Sequence, residues 1–208
     1  MCSSDLQGLV HSAIRFFSPV PDGTNPWSDG HPRPPSLKES LYEDMRAGRI
    51  NPWLHHQAED MPRLLSHDFD EGGSPEVILQ RMNEHCRGLG ARLMVAYTPF
   101  CGVVHPRYAG ALVEMGMDPK LAAGLAVDPR YRAQNRIVAE VCRDLKLPLA
   151  DATADLEAAE AAGTPQYWFY DTHPNALGYA VIARRIHETW KASIRDAAKP
   201  SAQPGARP

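Results

Sequence analysis

Residues 170–179 read Tyr-Asp-Thr-His-Pro-Asn-Ala-Leu-Gly-Tyr, and this stretch constrains the fold more than any other. Pro174 pushes His173 out of the α region, because a residue before proline clashes with the ring when helical. Asn175 is a good helix N-cap, and Ile182, Ile186 and Trp190 step along one face behind it, which predicts a helix over 176–190. Asp171 and His173 are therefore expected on a loop just ahead of a helix, with the imidazole in one backbone setting. A carboxylate that holds one ring nitrogen leaves the other free to take a proton from a nucleophile, which is the work of a general base. The competing reading is a capped turn with a solvent-facing histidine.

Upstream of this loop, helix and strand patterns alternate from Gly72 onward. Ser74-Pro75-Glu76 supplies an N-cap, a first helical position and an acidic first turn, and Val77, Ile78, Met82 and Cys86 follow at helical spacing until Gly88 and Gly90. Arg92 to Tyr97 is a short apolar run suited to a buried strand, ended by Thr98-Pro99. A mixed segment with Gly110, Gly116 and Gly124 leads to Asp128-Pro129, which opens a helix with Tyr131, Ile137, Val141 and Leu145 on its apolar side. Leu147 to Ala150 reads as a second strand. Asp151 behind it either points into a site or caps the next helix, Thr153 to Ala162. The run Tyr167-Trp168-Phe169-Tyr170 is expected to pack beneath the Asp-His loop and steady it, with stacking on a sugar ring as a second role.

Alternation of this kind implies a parallel sheet with helices on its faces. In such a sheet the carboxyl ends of the strands face the site. That puts the Pro99–Pro106 loop near any site, with His105 as either a substrate contact or a plain loop histidine. The fold class read from the chain is α/β, a flavodoxin-like parallel sheet with helices on both faces and incomplete at its N-terminal side, since only two strands are legible.

The N-terminal part is irregular. Six prolines between Pro19 and Pro35 forbid a regular element there. Trp27 and His31 either line a cleft or, for the tryptophan, pin the loop to the body. Ser36 to Ala47 suits a short helix ended by Gly48, and Asn51-Pro52-Trp53 starts another that carries His55 and His56. Adjacent histidines face different directions on a helix and make a poor chelating pair. His67-Asp68 lacks a proline lock or a following helix start and reads as a surface loop. Residues 1–6 look foreign: Cys-Ser-Ser-Asp-Leu is what TGC-TCT-TCC-GAT-CTN encodes, a string that ends a common sequencing adapter. The authentic sequence is then expected to begin near Gln7 with coding sequence lost upstream; the alternative is a native, frayed terminus. The division read from the chain is residues 1–6 as non-native, 7–71 as a loop-rich N-terminal part, 72–190 as the α/β domain and 191–208 as a disordered tail.

Composition removes several function classes. A chain of 208 residues with net charge -3 suits about one domain and has no basic excess to bind nucleic acid. No apolar run approaches the ~18 residues of a membrane span. Cys2, Cys86, Cys101 and Cys142 are widely spaced and read as reduced, mostly buried thiols, with no metal or other cofactor implied. There is no charged-then-apolar signal pattern, but an export signal lost upstream would leave the same sequence, so the compartment stays open with the cytoplasm as default.

Asp171, His173, Pro174, Asn175, Gly178 and Tyr179, with the helix after them, resemble the last sequence block of the SGNH/GDSL hydrolase superfamily. The resemblance is specific over 170–190, architectural from Gly72 to Pro165 and absent before that. It implies that His173 and Asp171 complete a Ser-His-Asp triad acting on small acyl esters of a carbohydrate or lipid. One departure is the spacing: Asp-x-His stands where Asp-x-x-His is commoner in the family, as in its polysaccharide-acetylating branches. The family's Gly-Asp-Ser block has no match, nor has a Gly-x-Ser-x-Gly elbow. Ser12, Ser18, Ser28, Ser36 and Ser66 are present, but none follows a buried strand beside a glycine. Three functions are therefore carried forward: a serine esterase whose Asp-His half lies in this chain, an O-acetyltransferase of the same superfamily, and a non-catalytic carbohydrate-binding or structural relative.

Overall fold

A computed structural model describes residues 27, 32–66 and 75–197. Residues 1–26, which include Cys2, Ser12, Ser18 and the first prolines, and Ser28, His31, His67-Asp68, Ser74 and the tail beyond 197 lie outside these residues. The described chain is mixed α/β and mostly helical, with β1 (Val95–Tyr97) and β2 (Leu149–Asp151) paired in parallel, Val95 opposite Leu149 and Tyr97 opposite Asp151. Parallel neighbours need a long crossover. Residues 98–148 provide it through α4 (Cys101–Val104), α5 (Ala109–Glu114), α6 (Pro119–Gly124) and α7 (Ala133–Asp144). The helices α1 (Glu39–Arg46), α2 (Leu54–Ser66) and α3 (Pro75–Gly88) precede β1, and α8 (Thr153–Ala161) and α9 (Ala176–Ala197) follow β2.

Several boundaries follow from local chemistry. Gly48 leaves α1 at φ +70, a left-handed conformation that glycine adopts without the Cβ penalty. Asp118 and Asp128 cap the two Asp-Pro starts: the Asp118 carboxylate accepts from the Lys120 and Leu121 N–H groups and that of Asp128 from Arg130 N–H. Asp151, one residue before the N-cap Ala152, accepts at Oδ1 from the Thr153 N–H at 2.9 Å and from its hydroxyl at 2.6 Å. Asp151 is thus held by the start of α8.

The hydrophobic core lies among helices more than on the sheet. Leu37, Leu41 and Met45 meet Leu54 and Leu65 of α2 and Leu112 of α5. Two expectations, on the first strand and on the tail, are corrected here. The strand over 92–97 is shorter and is not buried, since Ala96 is exposed and Val95 and Tyr97 are half-buried. A sheet of two described strands covers little of its own surface. No residue of α3 is buried, although its apolar spacing fits a helix, because it lies against α7 at the edge of the body. The mixed segment before Asp128 is helical in α5 and α6 despite its glycines. Finally, α9 continues through Ala197, so residues 191–197 are not a tail: Lys191 to Ala197 contains no Gly or Pro to stop the helix.

Beneath the Asp-His loop, Glu160 of α8 is fully buried. Its Oε1 accepts from the Tyr108 hydroxyl and from the Gln166 N–H at 2.6 Å. Its Oε2 lies 3.1 Å from Arg107 Nε, close enough for charge pairing but not aligned as a hydrogen bond. The Tyr108 hydroxyl in turn accepts from the Tyr167 N–H at 3.1 Å. Glu160→Ala leaves two buried donors unanswered at about 1–3 kcal/mol each. The expected result in thermal unfolding followed by circular dichroism is a Tm lower by roughly 6–12 °C, with a smaller loss for Glu160→Gln, which keeps an acceptor oxygen. An unchanged Tm for Glu160→Ala would show that the network does not hold the loop base.

Candidate active site

The Asp-His loop is the closed end of a narrow antiparallel ribbon. Tyr167 pairs with Pro174. The Asn175 N–H donates to Gln166 O at 2.9 Å and the Trp168 N–H to His173 O at 3.0 Å. Side chains alternate across such a ribbon. Tyr167 and Pro174 therefore face inward and are buried, whereas Trp168 and His173 stand opposite each other on the outer face. Tyr167 is anchored further, its hydroxyl donating to Pro99 O at 2.8 Å.

The motif residues after the histidine build this geometry. Asn175 caps α9, with Oδ1 accepting from the Leu177 N–H at 2.9 Å and the Gly178 N–H at 3.1 Å, while its amide donates to Pro165 O at 2.9 Å. A Cβ on Gly178 would lie 2.2 Å from Gln166 O, so only glycine lets the helix approach the ribbon.

Within the loop, the His173 N–H donates to Asp171 O at 2.6 Å across Thr172, whose φ is 54. This is a three-residue γ-turn centred on a β-branched residue in the left-handed region, a conformation that costs about 1–3 kcal/mol. It folds the Asp171 carboxylate back onto the ring across the single intervening residue. His173 Nδ1 lies 2.7 Å from Asp171 Oδ1 and 2.8 Å from Asp171 O. Both partners are acceptors, so Nδ1 carries a proton, and in the neutral ring it is Nε2 that presents the lone pair. Among the described residues Nε2 has no hydrogen-bond partner. The side chains are 40% exposed for His173 and 52% for Asp171, so the pair is open to solvent.

The aromatic run does not pack beneath the loop as a unit. Tyr167 alone of its four residues is buried; Trp168 is 57% exposed, and Phe169 and Tyr170 are exposed as well. Trp168 and Tyr170 face outward, while Phe169, though exposed, keeps one ring contact with the buried Tyr108 at 5.3 Å between centroids. The Tyr170 hydroxyl donates to Glu114 Oε2 at 2.6 Å, and Lys38 Nζ lies 2.9 Å from Glu114 Oε1. Hydrogen bonds from Tyr170 and then Lys38 hold the Glu114 carboxyl below the usual carboxylate range, and the same contact raises the Tyr170 phenol. Nothing local in the sequence announces this group, because Glu114 and Lys38 are far from the motif along the chain.

The remaining candidates take structural places. His105 Nδ1 accepts from the Arg107 N–H at 3.2 Å as a cap of the turn that follows, and the Pro99–Pro106 segment is largely the helix α4. Trp27 is buried, donates to Pro52 O at 2.8 Å and packs on Tyr42, which is the pinning role. His55 is buried with Nδ1 2.7 Å from Met115 O, and His56 is exposed. Cys86, Cys101 and Cys142 are free thiols, the last two buried. The Ser66 hydroxyl donates to Arg63 O at 3.0 Å, and neither Ser36 nor Ser66 is bonded to His173. Among the described residues no three His, Cys, Asp or Glu side chains are grouped to hold a metal, and no helix is long and apolar enough to cross a membrane. A pocket of about 200 Å³ between α3 and α7 is lined by Glu76, Glu140 and Asp144 among others and does not include Asp171 or His173.

Gly178→Ala is expected to lower stability by about 1–3 kcal/mol, because the helix or the ribbon must move to admit the methyl group. Asn175→Ala is expected to cost about 0.5–2 kcal/mol through loss of the cap. Thermal unfolding of both variants checks this, and a neutral Gly178→Ala would contradict the close approach. Among known proteins, no family model, no curated protein and no solved structure matches the chain, so the site stands on its own geometry.

Proposed function

We propose that residues 72–190 carry the Asp-His half of a serine ester hydrolase, folded as the C-terminal portion of a flavodoxin-like, SGNH/GDSL-type sheet. The observation that supports this most is the 2.7 Å contact from His173 Nδ1 to Asp171 Oδ1, which selects the tautomer of the neutral ring in which Nε2 is the acceptor. His173 Nε2 takes the proton of a serine hydroxyl as its oxygen attacks the ester carbonyl, and returns it to the departing alcohol. A water then repeats the cycle to free the acid. Asp171 stabilises the imidazolium formed in each half. The serine and the backbone donors for the oxyanion belong to parts of the protein outside the described residues, and the substrate is a small acyl ester of a carbohydrate or lipid.

A second reading, transfer of an acetyl group to a sugar hydroxyl, is favoured by Trp168. A tryptophan left 57% exposed directly opposite the base is a ready face for a sugar ring. In that reaction a sugar alcohol replaces water as the acceptor of the acyl group.

The test is turnover of p-nitrophenyl acetate and of acetylated oligosaccharides by the protein expressed with any in-frame upstream coding sequence. His173→Ala is expected to lower kcat/KM by about 10²–10⁴. Turnover that does not depend on His173 would overturn the hydrolase, and oligosaccharide binding with no turnover would favour a non-catalytic relative. Trp168→Ala is expected to raise KM for the oligosaccharide by about 3–10-fold while leaving p-nitrophenyl acetate unaffected. Formation of only free acetate with a sugar acceptor present would reject transfer.

A further inference from the structure

We infer that Glu114, braced by Lys38, is a positioning residue for the Asp171–His173 pair and acts through the Tyr170 hydroxyl. This rests on the proposed hydrolytic role of that pair. The ribbon is pinned at its base by the Tyr167–Pro174 pairing and by Asn175, and Phe169 rests on the Tyr108 ring with 5.3 Å between centroids, while Asp171 further along the loop is exposed. The Asp171 carboxylate has no hydrogen-bond partner among the described residues other than His173. Its direction is therefore set by the backbone on either side of it. On one side lies Thr172 in a left-handed turn that relaxes if released. On the other lies Tyr170, whose hydroxyl is fixed at 2.6 Å to Glu114 Oε2.

Glu114 is itself immobilised twice. Its Oε1 lies 2.9 Å from Lys38 Nζ, and its main-chain oxygen accepts from the Lys38 N–H at 2.9 Å. The carboxylate sits at the end of α5, so the contact joins the catalytic loop to α5 and to the segment that enters α1. Exposed hydrogen bonds and ion pairs of this kind add little to global stability. Glu114 and Lys38 side chains are 34% and 48% exposed. What the strut governs is the orientation of the Tyr170–Asp171 backbone, and through it whether Asp171 Oδ1 reaches the ring nitrogen.

The experiment is two-bond ¹H–¹⁵N correlation NMR on the His173 ring at alkaline pH, where imidazoles are neutral, with thermal unfolding as control. In the unsubstituted protein Nδ1 is expected to be protonated and Nε2 bare. In Tyr170→Phe and Glu114→Ala the Nδ1–H signature is expected to be lost in favour of a mixture, with Tm unchanged. Lys38→Arg, which keeps a donor toward Glu114, is expected to retain the signature. Where the upstream-extended protein turns over ester, Tyr170→Phe is expected to lower kcat by about 10–100-fold at constant KM. Retention of the Nδ1–H signature in both Tyr170→Phe and Glu114→Ala would overturn the strut while leaving the pair intact. A proton on Nε2 in the unsubstituted protein would overturn the pair itself, and the strut with it.

Discussion

The main chain of Gln166 is the junction on which the site depends. Its N–H ends on the buried Glu160 carboxylate, and its carbonyl receives the Asn175 N–H while lying where a Cβ of residue 178 would be. One peptide segment thereby joins α8, the ribbon and the first turn of α9. Because a buried carboxylate left without donors is costly, the segment cannot leave Glu160 without a penalty at both partners. The base of the ribbon is rigid for that reason, and rigidity at the base makes an exposed Asp-His pair possible.

Two glutamates hold this loop by opposite means. Glu160 is fully buried and acts through desolvation: what binds it is strong because water cannot substitute. Glu114 is partly exposed, and water competes for each of its contacts, so it contributes direction and little stability. Loss of Glu160 is a folding defect, whereas loss of Glu114 is a defect of aim. A carboxylate needed to orient an imidazole tolerates little misplacement, since a displacement of about 1 Å is felt strongly in catalysis.

The local features were legible in the chain. Asn175 caps α9 as its chemistry predicts, and the Asp128 cap of the turn at Pro129 and the end of α1 at Gly48 were readable from a capping residue and a glycine. The long-range features were not. Nothing around Tyr170 points to Glu114 and Lys38, and nothing around Gln166 points to Glu160 and Tyr108, because these contacts are set by how helices pack. The exposure of Ala96 and of α3 was hidden for a related reason: apolar spacing reports a helix or strand that can be buried, and the neighbours decide whether it is. The aromatic run was misread as one unit because a ribbon's alternation splits adjacent residues between core and solvent, placing Tyr167 inside and Trp168 outside.

The openness of the pair bears on how it would work. With His173 and Asp171 facing water, the attraction between the Asp171 carboxylate and the imidazolium formed during the proposed reaction would be that of charges in a high-dielectric medium, about 1 kcal/mol at 4 Å, against several times more once water is displaced. On the proposed reading, the surface that brings the serine to Nε2 also covers the loop, so that nucleophile delivery and desolvation of the Asp171–His173 pair occur together. The γ-turn at Thr172 and the Tyr170 strut then have a common purpose. They hold the pair in its reactive geometry before any cover is present, so that closing the site need not also build it.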